Sequence, residues 1–372
     1  MDRHLRPEQQ LQDLIRRESL SRREFLRIAV SVGAVGAGAV LLGACGSDDG
    51  NSSSPSTPGI VIDPPPETTT IRLPKDVLQL QLAPLYLAEQ FLPAEGFTDV
   101  QYIDVPPFGG ARQKLVAGEV DIGLESASSV LAAVDRGDQQ IVILAGVQRN
   151  AFQLFGNDRV QSLRDLKGKR IFVFSTDPTD PVYAIWATLL GYVGIDLERE
   201  VDFVVLSAAD LPGQIAAGTI DAWLTSAPYS AFFRTANQGH VFLDALTDPP
   251  WSQYFGPMAT GNKGFVEKHP AAAKRALRAI LKATDVCARE PGRAARYLVD
   301  RGFTRWDYDQ ALSAITGPSY AAWREFNPED TVRFNALRLR EAGLVKSTPD
   351  ELIARATDWR YLKEIKRELG VT

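Results

Sequence analysis

The sequence has little of the chemistry from which most enzyme and metal sites are built. Only three histidines and two cysteines occur among its 372 residues, which leaves almost no material for a histidine-based triad or a Cys/His zinc site. A basic surplus is absent too, because 41 Lys and Arg face 46 Asp and Glu and the formal net charge is -5. We therefore expect no enzyme activity, no cofactor, no metal site and no nucleic-acid partner.

Long hydrophobic runs are also missing, and the one apolar stretch of note covers residues 28–45. It is short for a membrane helix and is diluted by glycines. Arg22 and Arg23 precede it, and paired arginines there are typical of a twin-arginine export signal. The stretch ends in LGAC, which resembles the lipobox of bacterial lipoproteins and marks Cys45 for lipidation. We predict a signal peptide over residues 1–44; an uncleaved helix with an incidental cysteine is the alternative.

Residues 45–70 are rich in Ser, Pro, Asp and Thr and lack the apolar content needed to fold. We predict that they form a disordered tether, which holds the folded part at a membrane through the lipid on Cys45. The protein would then be periplasmic or extracytoplasmic and lipid-anchored. Lipidation of Cys45 would leave Cys287 without an intramolecular disulfide partner.

One ten-residue stretch is nearly repeated a hundred residues later. AGEVDIGLES covers residues 117–126 and AGTIDAWLTS covers residues 217–226. Around each copy, short β-like runs alternate with helical stretches, a pattern typical of βαβ units in a parallel sheet. We predict an α/β fold of two similar lobes, with a helical tail from residue 269 that packs back on the first lobe. The predicted boundaries are residues 71–148 plus 256–372 for lobe I and 149–255 for lobe II. The alternative is a coincidence of two common helix-to-strand turns.

Several segments together resemble one known family. They are LAPLYLAEQ, GARQKLVAGEVDIGL, LKGKRIFV, IDAWLTSAPY and VEKHPAAAKRALRAI. The family is that of the extracytoplasmic solute-binding proteins of ABC importers, of the nitrate, taurine, alkanesulfonate and thiamine-precursor type. The resemblance implies a hinged type II periplasmic-binding-protein fold, which traps a small molecule in an interlobe cleft and delivers it to permease and ATPase subunits.

The expected binding site lies outside the carboxyl ends of the strands, where helices begin. Unpaired N–H groups at helix N-termini suit an anionic group, and glycine or hydroxyl residues stand at these junctions. For any single Ser or Thr, simple helix capping is the alternative. The candidates at these junctions are Gly109, Ser126, Ser128, Ser129, Thr176, Thr179, Tyr183, Ser226 and Tyr229.

Four further candidates come from other positions. The resemblance places Lys75 and Gln79 in a loop that contacts the ligand, although a solvated lysine is the alternative. Arg149 lies at the first crossover between lobes and could clamp an anion with two hydrogen bonds or form a hinge ion pair. Trp251, with Tyr254 nearby, follows two prolines and is expected to line the pocket, whereas Trp186 and Trp223 are expected in the core.

The ligand expected from these features is a small anionic or zwitterionic organic nutrient. Nitrate, sulfonates, taurine, pyrimidines and aromatic acids all stay open. The segment SAPY at residues 226–229 lacks the acidic residue that the family often has before its Pro-Tyr, which argues against a ligand whose ammonium pairs there. We expect the protein to be a monomer. Alternatives to the transport function are a binding protein that presents its ligand to a sensor, or a two-lobe enzyme of thiamine-pyrimidine or menaquinone type. The fungal-type pyrimidine synthase needs a cysteine-rich motif and an active-site histidine, which this chain lacks.

Overall fold

The computed structural model describes residues 63–318 and 320–371. The predicted signal peptide, with Arg22 and Arg23, and the predicted lipidation site at Cys45 lie outside the described residues. Most of the predicted tether lies outside them as well.

The strands of the two halves are arranged in a similar order. They are β1 (Thr70–Lys75), β2 (Asp99–Asp104), β3 (Ile122–Ser126), β4 (Ile141–Gly146), β5 (Phe152–Gly156), β6 (Arg170–Val173), β7 (Asp202–Val205), β8 (Ala222–Ser226), β9 (His240–Asp244) and β10 (Pro257–Asn262). In the second half, five strands form one sheet in the order β7-β6-β8-β5-β9. In the first half, β1-β2 and β3-β10-β4 form two sheets, and a hydrogen bond from the Asp121 N–H to the Arg72 carbonyl connects β1 with the start of β3.

The parallel pairing that the βαβ pattern predicted is found between β1 and β2 and between β6 and its neighbours β7 and β8, but two strands depart from it. β10 pairs antiparallel with β3 and β4, and β5 pairs antiparallel with β8 and β9. These two strands are the ones that the chain forms just after it crosses from one sheet to the other, so each enters its sheet from the opposite direction. The crossings lie between Gly146 and Phe152 and between Asp244 and Pro257. The exact lobe boundaries at 148/149 and 255/256 stay a prediction.

The repeated stretches occupy equivalent places in the two sheets. Asp121, at the start of β3, accepts hydrogen bonds from the backbone N–H and the side chain of Arg72 on β1. Asp221, at the start of β8, accepts the same two bonds from Arg170 on β6. Both aspartates are buried, so each arginine neutralises a charge that would otherwise be costly inside the protein. The aspartates of the two repeated stretches therefore perform the same structural role in the two halves.

Helices flank both sheets and make up most of the C-terminal third. Their bounds are α1 (Ala83–Leu87), α2 (Gly110–Val116), α3 (Ala127–Asp135), α4 (Pro181–Val193), α5 (Leu211–Ala216), α6 (Tyr229–Thr235), α7 (Lys263–Lys268), α8 (Pro270–Arg289), α9 (Pro291–Asp300), α10 (Tyr308–Thr316), α11 (Ala322–Glu325), α12 (Pro328–Glu341), α13 (Pro349–Ala356) and α14 (Arg360–Glu368). As predicted, the C-terminal helices share one buried core with the first sheet. α12 also packs against α4 of the second half, so this tail bridges both halves.

Residues 63–69, which the sequence analysis assigned to the tether, lie on α8. The Glu67 carboxylate accepts hydrogen bonds from the backbone N–H groups of Ala271 and Ala272 in the first turn of α8. Asp63 forms ion pairs with Lys274 and Arg278 on the same helix. Charge pairing and helix capping, rather than apolar burial, therefore order this segment, which is why its composition did not indicate it.

In the described ranges, no helix is both long and apolar enough to cross a membrane. The same ranges hold no cluster of His, Cys, Asp or Glu side chains suited to a metal ion.

Candidate functional site

The two halves share a cavity of about 260 Å³ where the ends of β3 and β8 face each other. Both copies of the repeated stretch contribute their last three residues to its wall, Leu124 to Ser126 from one side and Leu224 to Ser226 from the other. A cavity of this kind at the carboxyl ends of strands is where ligands bind in α/β proteins.

Seven of the predicted site residues lie in the wall of this cavity. They are Gln79, Gly109, Ser126, Ser128, Ser226, Tyr229 and Trp251, and Tyr254 accompanies them. Trp186 and Trp223 are fully buried core residues, as predicted.

Lys75, Thr176 and Tyr183 do not line the cavity. The Lys75 ammonium lies 5.8 Å from the centre of the Phe303 ring, and Thr176 is exposed. Tyr183 is buried in the second half, where its ring packs against that of Phe203 at 4.9 Å. These placements leave the three side chains occupied elsewhere or facing solvent.

Arg149 is not the anion clamp that the sequence suggested. Its guanidinium donates hydrogen bonds to the backbone carbonyls of Leu246 and Ser252, at 2.6 and 2.9 Å. The alternative of an ion pair with an acidic residue does not match these contacts either. Because both carbonyls belong to the return crossover, Arg149 ties the two crossover segments to each other.

The longer helices that begin at the cleft have capped N-termini. The Ser126 hydroxyl accepts a hydrogen bond from the backbone N–H of Ser129 at the start of α3. The Asp180 carboxylate accepts from the N–H groups of Val182 and Tyr183 at the start of α4. These donors are therefore already engaged, and the capping alternative holds for Ser126.

Hydrogen bonds between the two halves hold the cleft closed. Ser129 donates its hydroxyl to the Thr179 carbonyl at 3.0 Å, and Arg112 donates to the Thr179 hydroxyl at 2.6 Å. On another side of the cavity, the Gln81 amide donates to the Ser226 hydroxyl. Thus Ser129 and Thr179 latch the closed form without lining the cavity, and Ser226 does both.

Aromatic rings form most of the apolar wall. Phe108 has a φ of 60°, an uncommon backbone conformation for a bulky residue, and its ring stacks on Phe174 of the opposite half with centroids 4.9 Å apart. Tyr229 meets the edge of Phe108 at 5.8 Å. The ten aromatic residues of the wall are Phe108, Phe152, Phe172, Phe174, Tyr229, Phe233, Trp251, Tyr254, Phe255 and Phe334.

Glu125 is the one charged side chain in the wall of this cavity within the described ranges. The residue is 6% exposed, and burial raises the pKa of its carboxyl to about 8, with only the nearby Arg112 guanidinium opposing the shift. No lysine, arginine or histidine of the described part lines the cavity. An adjoining cavity of about 710 Å³ is lined by Arg112 together with Asp177, Asp180 and Asp210.

Two further polar groups in the wall have no hydrogen-bond partner among the described residues. Gln148 is fully buried, and both its amide nitrogen and its amide oxygen are unpaired. The Tyr229 hydroxyl is also unpaired. Buried polar groups are nearly always satisfied in native proteins, so these atoms are available for hydrogen bonds to a bound molecule or to water.

Sequence reasoning missed Glu125, Gln148, Gln81 and the Phe108–Phe174 stack. Glu125 stood within the repeated stretch, one position before Ser126, but was taken as part of a half-buried strand. A carboxylate directly after the strand sequence VDIGL, at the strand end that faces the cleft, was the available signal. Gln148 and Phe108 carried no comparable signal, because each lies in a loop whose path depends on the tertiary fold.

Comparison with known proteins gives a consistent group of relatives. The model of the family described as NMT1/THI5 like matches residues 79–294. The nitrate/nitrite-binding protein NrtA of Synechocystis sp. is 24% identical over 302 residues, which are 72% of this chain and 66% of that protein. The chain thus spans about two thirds of the length of this relative.

Solved structures show the same architecture. The crystal structure of the periplasmic nitrate-binding protein NrtA from Synechocystis PCC 6803 aligns with a TM-score of 0.67 at 16% identity, covering 82% of this chain and 90% of that one. The alkanesulfonate-binding protein SsuA from Xanthomonas axonopodis pv. citri, bound to MOPS, aligns with a TM-score of 0.60 at 16% identity, covering 79% and 99%. The predicted family resemblance and the predicted two-lobe periplasmic-binding-protein-like fold are both confirmed.

Proposed function

Because the chain belongs to the NMT1/THI5-like family, we propose that it is an extracytoplasmic solute-binding protein that delivers a small organic nutrient to an ABC importer. The observation that carries this proposal is the cavity between the two halves, whose walls come from equivalent strand ends. Its relatives are named as binding proteins for nitrate, nitrite or alkanesulfonate, which supports the same role. The protein would bind and release its ligand unchanged.

Closure of the cleft would be the signal that the permease reads. The contacts across the cleft, from Ser129 and Arg112 to Thr179 and from Gln81 to Ser226, exist only when the halves meet. A ligand that fills the cavity would stabilise the closed form, since it binds both walls at once. The permease and ATPase subunits are therefore the proposed protein partners, and the binding protein itself is proposed to act as a monomer.

Of the ligand classes expected from the sequence, a small inorganic anion fits the cavity least well, because no basic side chain of the described residues lines it. A nitrate or sulfonate in it would face the Glu125 carboxyl and aromatic rings rather than a cation. At the helix N-termini that follow Ser126 and Asp180, backbone N–H groups already donate hydrogen bonds to these capping side chains. We therefore propose that the ligand is an organic molecule with an apolar part. If it carries a negative charge, it carries a positive charge as well.

Ligand binding can be tested on the purified protein after any bound molecule has been removed by unfolding and refolding. Exposure to the small-molecule fraction of bacterial culture medium should raise the Tm and reduce the radius of gyration measured by X-ray scattering. Ser226→Ala should weaken the response, because one cross-cleft hydrogen bond contributes about 0.5–1.5 kcal/mol. Thr235→Ala, at an exposed position on α6, is the matched control. A Tm and radius unchanged by every fraction would refute the function.

The export signal and lipid anchor remain part of the proposal. Cys45→Ala should move the protein from the membrane fraction to the soluble extracytoplasmic fraction. Replacement of both Arg22 and Arg23 by lysine should instead retain it inside the cell. Membrane retention of the Cys45 variant would refute lipidation at that residue.

A further inference from the structure

The charge of the cavity wall is one-sided. Glu125 contributes a carboxyl, and no basic side chain of the described residues shares that wall. The nearest guanidinium, that of Arg112, lies in the adjoining cavity, donates to Thr179, and has three aspartates as neighbours in that wall. Both connected spaces therefore carry more acidic than basic groups.

The Glu125 carboxyl also lacks a partner inside the protein. No hydrogen bond or ion pair to it is found within the described ranges, although the residue is 6% exposed. A buried carboxyl without a partner is destabilising, and folded proteins keep such a group mainly where it has a task. Gln148, fully buried and unpaired at both amide atoms, lies in the same wall. A carboxyl and an amide without partners in the wall of one cavity indicate a ligand with complementary polar atoms.

The rest of the wall favours positive charge as well. Ring faces carry partial negative charge, and several rings around one space form the arrangement that attracts ammonium groups. Phe108, Phe174 and Tyr229 pack against one another, with centroid separations of 4.9 and 5.8 Å, and all three line the cavity together with seven further aromatic residues. The aromatic rings and the ionised form of the Glu125 carboxyl both attract a cation and disfavour an anion.

We propose, as a refinement that rests on the function proposed above, that the ligand carries a cationic nitrogen on an apolar or aromatic frame, and that Glu125 is its counter-ion. Gln148 accepts an N–H of the same ligand through its amide oxygen or donates to a neighbouring acceptor atom. The apolar frame occupies the space between the rings. The cation restores the partner that the Glu125 carboxylate lacks, so binding and ionisation of Glu125 are coupled.

A series of probes that share one ring and differ in their charged group tests this inference. Benzylamine, benzamidine, benzyltrimethylammonium and benzenesulfonate, with sodium nitrate and taurine added, are titrated into the protein and followed by Tm and by calorimetry. The cationic probes should raise the Tm and bind at least tenfold more tightly than benzenesulfonate. Their affinity should increase as the pH rises towards 8, since the carboxylate is the form that pairs with them.

Glu125→Gln separates the charge of this side chain from its shape. The variant keeps the volume and the polarity of the wall, so it should fold, and it should weaken the cationic probes at least tenfold while leaving benzenesulfonate unchanged. Glu267→Gln, at an exposed position on α7, is the matched control and should bind like the unmodified protein. Gln148→Leu should also weaken benzamidine without lowering the Tm of the empty protein, since the native amide is unpaired.

The outcomes separate this inference from the proposed function. Nitrate or benzenesulfonate that binds the unmodified protein more tightly than the cationic probes, or cationic probes that bind Glu125→Gln as tightly as the unmodified protein, would overturn the cationic ligand and leave a solute-binding protein. Recovery of a purely anionic molecule from culture medium, identified by mass spectrometry, would do the same. If no probe and no component of the medium changes the Tm, the proposed function falls and the ligand class falls with it.

Discussion

Substitution of Glu125 by glutamine should change how the stability of the empty protein depends on pH. The folded protein raises the pKa of this carboxyl from its ordinary value of 4.5 to about 8, because burial disfavours the charged form. The unfolded chain ionises near the ordinary value. Between pH 4.5 and 8 the unfolded chain has therefore lost a proton that the folded protein retains, and the free energy of unfolding falls as the pH rises.

The size of the effect follows from the width of that window. Each pH unit within it lowers the free energy of unfolding by about 1.4 kcal/mol, so an increase from pH 5 to pH 8 costs up to about 4 kcal/mol. This figure is an upper bound, since opening of the cleft would hydrate the carboxyl and limit the loss to the cost of opening. Glutamine does not ionise, so the variant avoids the loss altogether.

Urea unfolding followed by tryptophan fluorescence at half-unit steps from pH 5 to 8.5 measures the difference. Glu125→Gln should match the unmodified protein near pH 5 and exceed its free energy of unfolding by about 1–4 kcal/mol at pH 8. Glu267→Gln should follow the unmodified protein throughout. Parallel curves for Glu125→Gln and the unmodified protein would show that the carboxyl is hydrated, and the reasoning on its burial would fail.

Three other substitutions test contacts within the scaffold. Gly191→Ala should lower the free energy of unfolding by about 1–3 kcal/mol in thermal unfolding, because the added methyl would clash with the Arg338 carbonyl oxygen. Gly213→Ala, with nothing within 4 Å of the added methyl, should be neutral or stabilising. Equal effects of the two substitutions would contradict the close helix contact. Asp221→Asn should lower the free energy of unfolding by about 2–3 kcal/mol at pH 7. The loss should shrink in acid, because hydrogen bonds from arginine and asparagine partners outweigh burial and hold the pKa of this aspartate below its ordinary value. A loss that stays constant down to pH 2 would refute the ion pair. Glu67→Gln should cost about 1 kcal/mol and speed proteolysis before residue 70, whereas an unchanged cleavage rate would show that the segment is not held by its cap.

Local patterns predicted the elements of the fold well, because each depends on its own residues. The repeated stretch located β3 and β8, and the glycines at 118 and 218 end the preceding segments with positive φ values of 71° and 68°, as a helix-to-strand turn requires. β5 was missed because FQLFG is short and does not alternate. Its place in the sheet depends on pairing with β8 and β9, which no local pattern encodes.

The candidate site was harder to predict, because the type of a side chain does not fix its partner. Arg149 was a reasonable anion ligand by chemistry, yet two crossover carbonyls occupy it. Thr179 was expected to contact the ligand, yet it serves the latch with Arg112. In both cases the competing partner comes from a segment distant in sequence, so only the folded chain reveals which of the chemically equivalent contacts forms.

The two copies of the repeated stretch show where specificity arises in such a duplicated architecture. Asp121 and Asp221, at the starts of β3 and β8, perform the same structural task with the same kind of arginine, so the copies agree there. Four positions later the strands reach the cavity, and the copies differ: one wall receives the Glu125 carboxyl and the other the Thr225 hydroxyl. Because a scaffold needs both halves to fold alike whereas a ligand has two unlike ends, the positions at which aligned copies diverge near the cleft are the ones that recognise the ligand. By this argument a Glu125→Thr variant, which makes the two walls equivalent, should fold normally and lose its preference for cations over neutral molecules. A retained preference in calorimetry would place recognition outside the repeated stretch.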